Sequence, residues 1–67
     1  MKTRQTVGQI IRAARDKKRL LQSEVAHDLK VSVELVRSIE RDRRGVSVAL
    51  LRPISRLLDI PLEKLVP

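Results

Sequence analysis

The sequence has no cysteine, no aromatic residue and a single histidine among its 67 residues. Without cysteine the chain forms no disulfide and offers no thiolate to a metal, which fits a protein of the reducing cytoplasm. Without Phe, Tyr or Trp it lacks the ring surfaces on which proteins stack unpaired bases. Its apolar runs are only a few residues long, far below the roughly 20 residues that cross a bilayer, and no signal peptide follows Met1.

Acidic residues are also scarce relative to basic ones. Fifteen Lys and Arg stand against eight Asp and Glu, which gives a formal net charge of +7 and a pI near 11.2. At 42% hydrophobic residues the chain is too apolar for a disordered basic tail. We therefore expect a folded domain with a polyanionic partner, and the missing aromatics and apolar runs favour duplex DNA over single strands or a membrane.

Apolar residues at helical spacing predict five short helices and no strand, an all-α fold. The first helix spans residues 7 to about 18, and the second begins at Gln22. Residues 30–32 separate the second helix from a third over 33–41, where Ser32 is a suitable N-cap and Glu34 a first-turn acid. Two short helices joined by three residues form a helix-turn-helix pattern.

Glycine and proline mark the remaining elements. Gly45 is predicted to end the third helix with a positive φ, and Ser47 to cap a fourth. Since Pro53 would remove one hydrogen bond from that helix, we expect either a kink or a start near Arg52. Pro61 is predicted at the first position of a short fifth helix.

The third helix has two different faces. Leu35, Val36 and Ile39 lie on one arc at 100° per residue, which indicates a core face. The opposite arc mixes apolar, acidic, basic and hydroxyl side chains: Val33, Glu34, Arg37, Ser38 and Arg41. A merely solvated face would more often carry Lys/Glu pairs four residues apart, so this arc is a candidate binding surface.

Two short motifs occur together, Q-x-E-x-A at the start of the second helix and I-E-R at the end of the third. They lie between VGQIIRAAR and LLRPISRLLDIPLEKL. With these segments the chain, from about Val7 to Val66, resembles the phage repressor and Cro-type (λ-repressor-like, XRE-type) helix-turn-helix family of bacterial transcription regulators. The resemblance implies one DNA-binding domain over 1–67, with the helix-turn-helix proper at about 22–41, and a cytoplasmic protein at the nucleoid of a bacterium or phage host.

The resemblance also implies roles for individual residues. The third helix would enter the major groove, where four side chains face base edges: Val33, Glu34, Arg37 and Ser38. Six residues would bind phosphates: Gln22, Ser23, Ser32, Arg41, Arg43 and Arg44. Arg15 and Glu40 fall where the family places a structural ion pair between the first and third helices. Leu21, Lys30 and Asp42 depart from the family pattern, which has a capping Ser or Thr at the first position and Gly at the other two.

The implied function is that of a sequence-specific regulator, a repressor, which binds a palindromic operator as a homodimer through apolar residues after the third helix: Val46, Val48, Leu50, Leu62 and Val66. An alternative is a protein-interaction module on the same fold, such as an antitoxin or an accessory regulator subunit. We expect no enzyme, metal site, cofactor or small-molecule ligand, because the chain carries no recognisable nucleophile–base set or metal cluster. His27 is expected at the surface.

Overall fold

A computed structural model describes residues 5–66; the remaining residues of the predicted 1–67 domain lie outside the described part. The described chain forms four α-helices, α1 (Val7–Lys17), α2 (Gln22–Leu29), α3 (Val33–Glu40) and α4 (Val48–Leu58), followed by a 3-10 turn at Leu62–Lys64. Residues 5–66 contain no strand. The all-α prediction is confirmed, and four helices replace the five expected.

The predicted fifth helix is only a tight turn. Its backbone bonds run from Lys64 N to the Pro61 carbonyl and from Leu65 N to the Leu62 carbonyl, both at 2.9 Å, which is the i→i+3 pattern. Pro61 precedes the turn with φ −55° and ψ 133° and is not its first residue. A single tight turn suffices here because it places Leu65 in the core, where the side chain is buried.

The first helix begins with a reciprocal cap that stabilises its amino-terminal end. The Thr6 hydroxyl accepts from Gln9 N at 3.1 Å, and the Gln9 side chain accepts from Thr6 N at 2.9 Å. This capping box satisfies two of the backbone N–H groups that a helix start leaves unpaired. The helix runs within one residue of its predicted end.

The turn between α2 and α3 keeps a left-handed residue although no glycine is present. Lys30 adopts φ 59° and ψ 41°, and Val31 N bonds to the Ala26 carbonyl at 3.0 Å. The next residue, Ser32, caps α3 by accepting from Leu35 N at 3.1 Å. The turn geometry is therefore preserved by placing a lysine in a backbone region that glycine adopts more easily.

Helix α2 begins without a capping side chain, as the apolar Leu21 predicts. Only the other half of the box exists, in which the Glu24 carboxylate accepts from Leu21 N at 2.8 Å. The Glu24 N–H, which a capping Ser or Thr would pair, bonds instead to the Leu21 carbonyl at 3.0 Å.

Helix α4 begins at Val48 and continues through Pro53, so of the two predicted alternatives, a kink or a start near Arg52, the second is wrong. The hydroxyl of Ser47 makes no capping bond either. Pro53 and Ala49 are both exposed, so water can satisfy the Ala49 carbonyl that lacks its donor. The helix therefore tolerates proline on its solvent side.

The predicted role of Gly45 is also wrong. The third helix ends at Glu40, and Asp42 takes the positive φ of 59°, whereas neither glycine of the described chain has one. Left-handed residues follow each of the other three helices as well: Arg19, Lys30 and Asp59. Each of the four helices is thus followed, within two residues of its end, by a left-handed residue other than glycine.

The core contains aliphatic residues from every helix and from the chain after α4. Its buried members are Ile11, Val25, Ala26, Val36, Ile39, Ile54, Leu58, Ile60 and Leu65. Helix α3 packs on α1 and α2, and α4 packs on α1 and α2. Because α3 buries only one face in this arrangement, its opposite face remains available to a partner.

Candidate nucleic-acid interface

The outer face of α3 carries Glu34, Arg37 and Ser38 of the four predicted base-contacting residues, whereas Val33 lies at its edge and packs against the core. Glu34 is exposed, and Val33, Arg37 and Ser38 are half-buried. Positions 34, 37, 38 and 41 share one helical face by their spacing. On the other face Val36 and Ile39 are buried in the core, which fixes the rotation of the helix.

Two of these residues pair with each other. A guanidinium N–H of Arg37 donates to the Glu34 carboxylate, one helical turn earlier. The sequence predicts that each residue contacts DNA separately, whereas in the structure they form an ion pair. Because the Glu34 side chain is 75% exposed and the Arg37 side chain 41% exposed, water screens the pair, which contributes only about 0.2–0.5 kcal/mol to helix stability.

Arg15 and Glu40 form a bidentate ion pair between α1 and α3. Arg15 Nε donates to Glu40 Oε2 at 2.6 Å and Nη2 to Oε1 at 3.0 Å, while Nη1 donates to the Leu20 carbonyl at 2.7 Å. The hydrogen bonds that Arg15 donates to Glu40 raise the pKa of Arg15 above its ordinary value despite the opposing effect of burial. The pair thus ties the end of α3 to α1 and to the start of α2.

Gln22 extends this ion pair into a network. Its side-chain amide, Nε2, donates to Glu40 Oε1 at 3.0 Å from the first position of α2. The second amide hydrogen and the carbonyl oxygen form no further hydrogen bond within residues 5–66. The predicted phosphate-binding residue is therefore held in one orientation by the buried acid of α3.

The other predicted phosphate-binding residues flank the outer face of α3. Ser23 lies exposed in the first turn of α2, and Ser32 lies exposed at the start of α3. Because the Ser32 oxygen accepts from the backbone, its hydrogen remains free to donate. At the opposite end of the helix Arg41, Arg43 and Arg44 are all exposed.

The sequence matches the family model described as helix-turn-helix over residues 11–65 of the chain. This match begins within α1 and covers the whole of α2, α3 and α4, including the turn between α2 and α3. The chain belongs to the XRE/Cro/λ-repressor-like helix-turn-helix family. Comparisons with curated proteins and with solved structures returned no match.

As a helix-turn-helix domain the chain falls in a family of DNA-binding regulators and not in an enzyme family. Within residues 5–66 no group of three or more His, Cys, Asp or Glu side chains is placed to hold a metal ion. His27 is exposed on α2. No helix of the described residues is both long enough and apolar enough to cross a membrane.

The helix-turn-helix domain also has a junction that the sequence did not predict. The Asp42 carboxylate accepts from the Thr6 hydroxyl at 2.5 Å and from Gly8 N at 2.9 Å. It therefore joins the end of α3 to the start of α1, where a negative charge also suits the helix dipole. A side chain at Gly8 would lie 2.5 Å from the Ile39 carbonyl oxygen. The feature of the sequence that indicates this close approach of two backbones is Gly8 itself, a single glycine within the amphipathic pattern of α1.

Proposed function

We propose that this chain is a sequence-specific regulator that binds double-stranded DNA, acts as a repressor and inserts α3 into the major groove of a palindromic operator. One observation carries the proposal: the outer face of α3 holds mixed polar side chains and is flanked by a free hydroxyl at one end and three exposed arginines at the other. A helix with this distribution fits a groove that has phosphates on both sides.

The base contacts follow from side-chain chemistry. Arg37 offers a planar pair of donors that suits the two acceptors of guanine, and Ser38 can donate to or accept from several base edges. Val33 offers an apolar contact for a thymine methyl group, and Glu34 can accept from a cytosine amino group. Each good bidentate pair discriminates against the wrong base by about 1–3 kcal/mol.

The phosphate contacts would determine the position of the domain on the duplex. Gln22, Ser23 and Ser32 lie at the starts of α2 and α3, where free backbone N–H groups favour anions. Arg41, Arg43 and Arg44 continue the positive surface beyond α3. Each phosphate that such residues neutralise steepens the dependence of log Kd on log salt by about 0.9.

A homodimer on DNA is part of the proposal. One small module buries only about 600–1,000 Å² against DNA, and two-fold dimers double this on a palindromic site. Three of the five residues predicted at the interface are exposed: Val48 at 85%, Leu62 at 38% and Val66 at 42%. Val46 and Leu50, also predicted at the interface, are half-buried against the core of the same chain.

Selection from a randomised duplex library at near-physiological salt tests the proposal. Sequencing of the retained DNA should give a motif with two-fold symmetry and half-sites about one helical turn apart. Retention without any motif would overturn sequence-specific recognition. No retention at all would favour the protein-interaction alternative, in which the exposed apolar residues near α4 dock another protein.

A further inference from the structure

A cleft between α1, α2 and α3 lies beside the outer face of α3. We call it the arginine cleft. It has a volume of about 280 Å³ and is lined by Arg12, Arg15, Gln22, Arg37, Glu40 and Arg41. The cleft is open to solvent on one side, so a phosphate group can enter it. Arg12 belongs to α1, outside the helix-turn-helix proper.

Most of the negative charge in the cleft is already engaged. Glu40 is 7% exposed and uses both of its oxygens, one for Arg15 alone and one for Arg15 and Gln22. The charges of Arg15 and Glu40 therefore cancel at the bottom of the cleft. The charges of Arg12, Arg37 and Arg41 are not balanced by Glu40, so the cleft carries excess positive charge.

The partners of these three arginines are weak or absent. Arg12 reaches Asp16 only at 4.0 Å, and both side chains are exposed. Arg37 pairs with Glu34 at the surface. No carboxylate within residues 5–66 forms an ion pair with Arg41. Exposed pairs of this kind contribute little, so an incoming anion can replace them at small cost.

We propose that the arginine cleft holds one phosphate of the DNA backbone, with Arg12 and Arg41 as cationic contacts and Gln22 as a neutral donor. The inference rests on the proposed function and extends the DNA-binding surface from α2 and α3 onto α1. Guanidinium groups suit phosphate oxygens because they present paired donors. Glu40 acts here as a positioning residue, since it fixes the Gln22 amide while Arg15 cancels its charge.

Charge-neutral substitution of Arg12 tests this assignment. In Arg12→Gln the salt dependence of binding to duplex DNA should flatten by about 0.9 in log–log slope. When salt is raised from 50 to 200 mM, the affinity of Arg12→Gln should therefore fall about threefold less than that of the wild type. Arg12→Lys should retain the wild-type slope, because lysine binds phosphate as a point charge. Because Arg12 is exposed, both variants should fold, and circular dichroism checks that they do.

A matched control separates local contact from total charge. Arg56 is exposed on α4, which packs on the other helices away from the arginine cleft. Arg56→Gln removes the same charge and should leave the slope unchanged. If Arg12→Gln and Arg56→Gln behave alike while the wild type binds DNA, the cleft assignment is overturned and the proposed function stands. If the wild type fails to bind duplex DNA, the proposed function itself fails.

Neutral methylphosphonate linkages locate the phosphate. Each linkage of the selected site is replaced in turn, and binding is measured with the wild type and with Arg12→Gln. We expect one linkage per half-site at which neutralisation costs Arg12→Gln less affinity than it costs the wild type, because only the Arg41 and Gln22 contacts remain to be lost in the variant. Additive losses at every linkage would show that Arg12 contacts no single phosphate, and would overturn the assignment.

Discussion

At the scale of single residues, the most consequential pair is Glu34 and Arg37. Both were predicted to contact bases, and they bind each other on the outer face of α3. The contact holds the guanidinium near the carboxylate in the free protein, so DNA must either displace Glu34 or accept Arg37 in the orientation that Glu34 gives it. Because a carboxylate only accepts hydrogen bonds, it also repels phosphates and base-edge acceptors.

Glu34→Gln should therefore bind most duplexes more tightly and discriminate less. Loss of the negative charge removes repulsion, and the amide can donate as well as accept. We expect the affinity ratio between the selected site and a site altered at one contacted base to fall about five- to tenfold, within the range of one bidentate contact. Fluorescence anisotropy on the two duplexes measures this ratio. Glu63→Gln, an exposed acid outside α3, is the matched control, and an unchanged ratio would show that Glu34 acts only through its charge.

A second residue-scale feature is the close approach at Gly8. A Cβ there would lie 2.5 Å from the Ile39 carbonyl oxygen and 2.7 Å from that of Glu40. These are backbone atoms, which cannot move aside as the end of a flexible side chain can. Gly8→Ala should destabilise the fold by about 1–2 kcal/mol, since overpacking outweighs the better helix propensity of alanine. Urea denaturation gives the free energy of unfolding.

Gly45→Ala is the natural counterpart to this variant. Nothing lies within 4 Å of a Cβ at that position, and its φ is not positive. We expect it to be neutral or to stabilise by up to about 1 kcal/mol through the unfolded state. Equal effects of the two substitutions would contradict the proposed close contact between α1 and α3.

At the scale of elements, periodicity predicted where helices lie better than where they stop. The apolar stripe of α1 and the cap at Ser32 determined the positions of those helices correctly, because both are local signals. The left-handed residues that follow the helices are not predicted by local sequence, because Arg19, Lys30, Asp42 and Asp59 are not residue types that favour positive φ as glycine does; only the family resemblance marks positions 30 and 42 as usual glycine sites. Gly45, the residue type that most often ends a helix, lies instead in the loop between α3 and α4.

This property of the helix ends can be tested at Lys30. The left-handed conformation costs a non-glycine residue about 1–2 kcal/mol, against about 0.4–1 kcal/mol of extra unfolded-state entropy for glycine. Lys30→Gly should therefore raise the free energy of unfolding by about 0.5–1 kcal/mol. The control, Ala13→Gly at an exposed interior position of α1, should lower it by about 1 kcal/mol. A destabilised Lys30→Gly variant would show that the lysine side chain itself holds the turn.

At the scale of the whole molecule, the contacts that organise the site join residues far apart in the chain. Gln22 reaches Glu40, and Asp42 reaches Thr6 and Gly8. The family resemblance supplied the Arg15–Glu40 pairing, which the structure shows, but no local pattern predicts that Glu40 also fixes Gln22. Likewise, Arg12 meets Arg37 and Arg41 only once α1 packs on α3. The sequence therefore predicts the candidate residues, and the packing decides how they are grouped.

The last prediction concerns assembly on DNA. If Val48 and Leu62 lie at a two-fold interface, glutamate at either position places like charges from both copies in the contact, where neither finds a partner. Val48→Glu and Leu62→Glu should each weaken binding to the full palindrome at least about tenfold, which is about 1.4 kcal/mol. The isolated half-site is the internal control, because one domain binds it without the interface. A variant that weakens both duplexes equally acts through charge repulsion from DNA and not through assembly. A variant that weakens neither removes its residue from the interface, and sedimentation of the wild type on the palindrome then decides whether two copies bind at all.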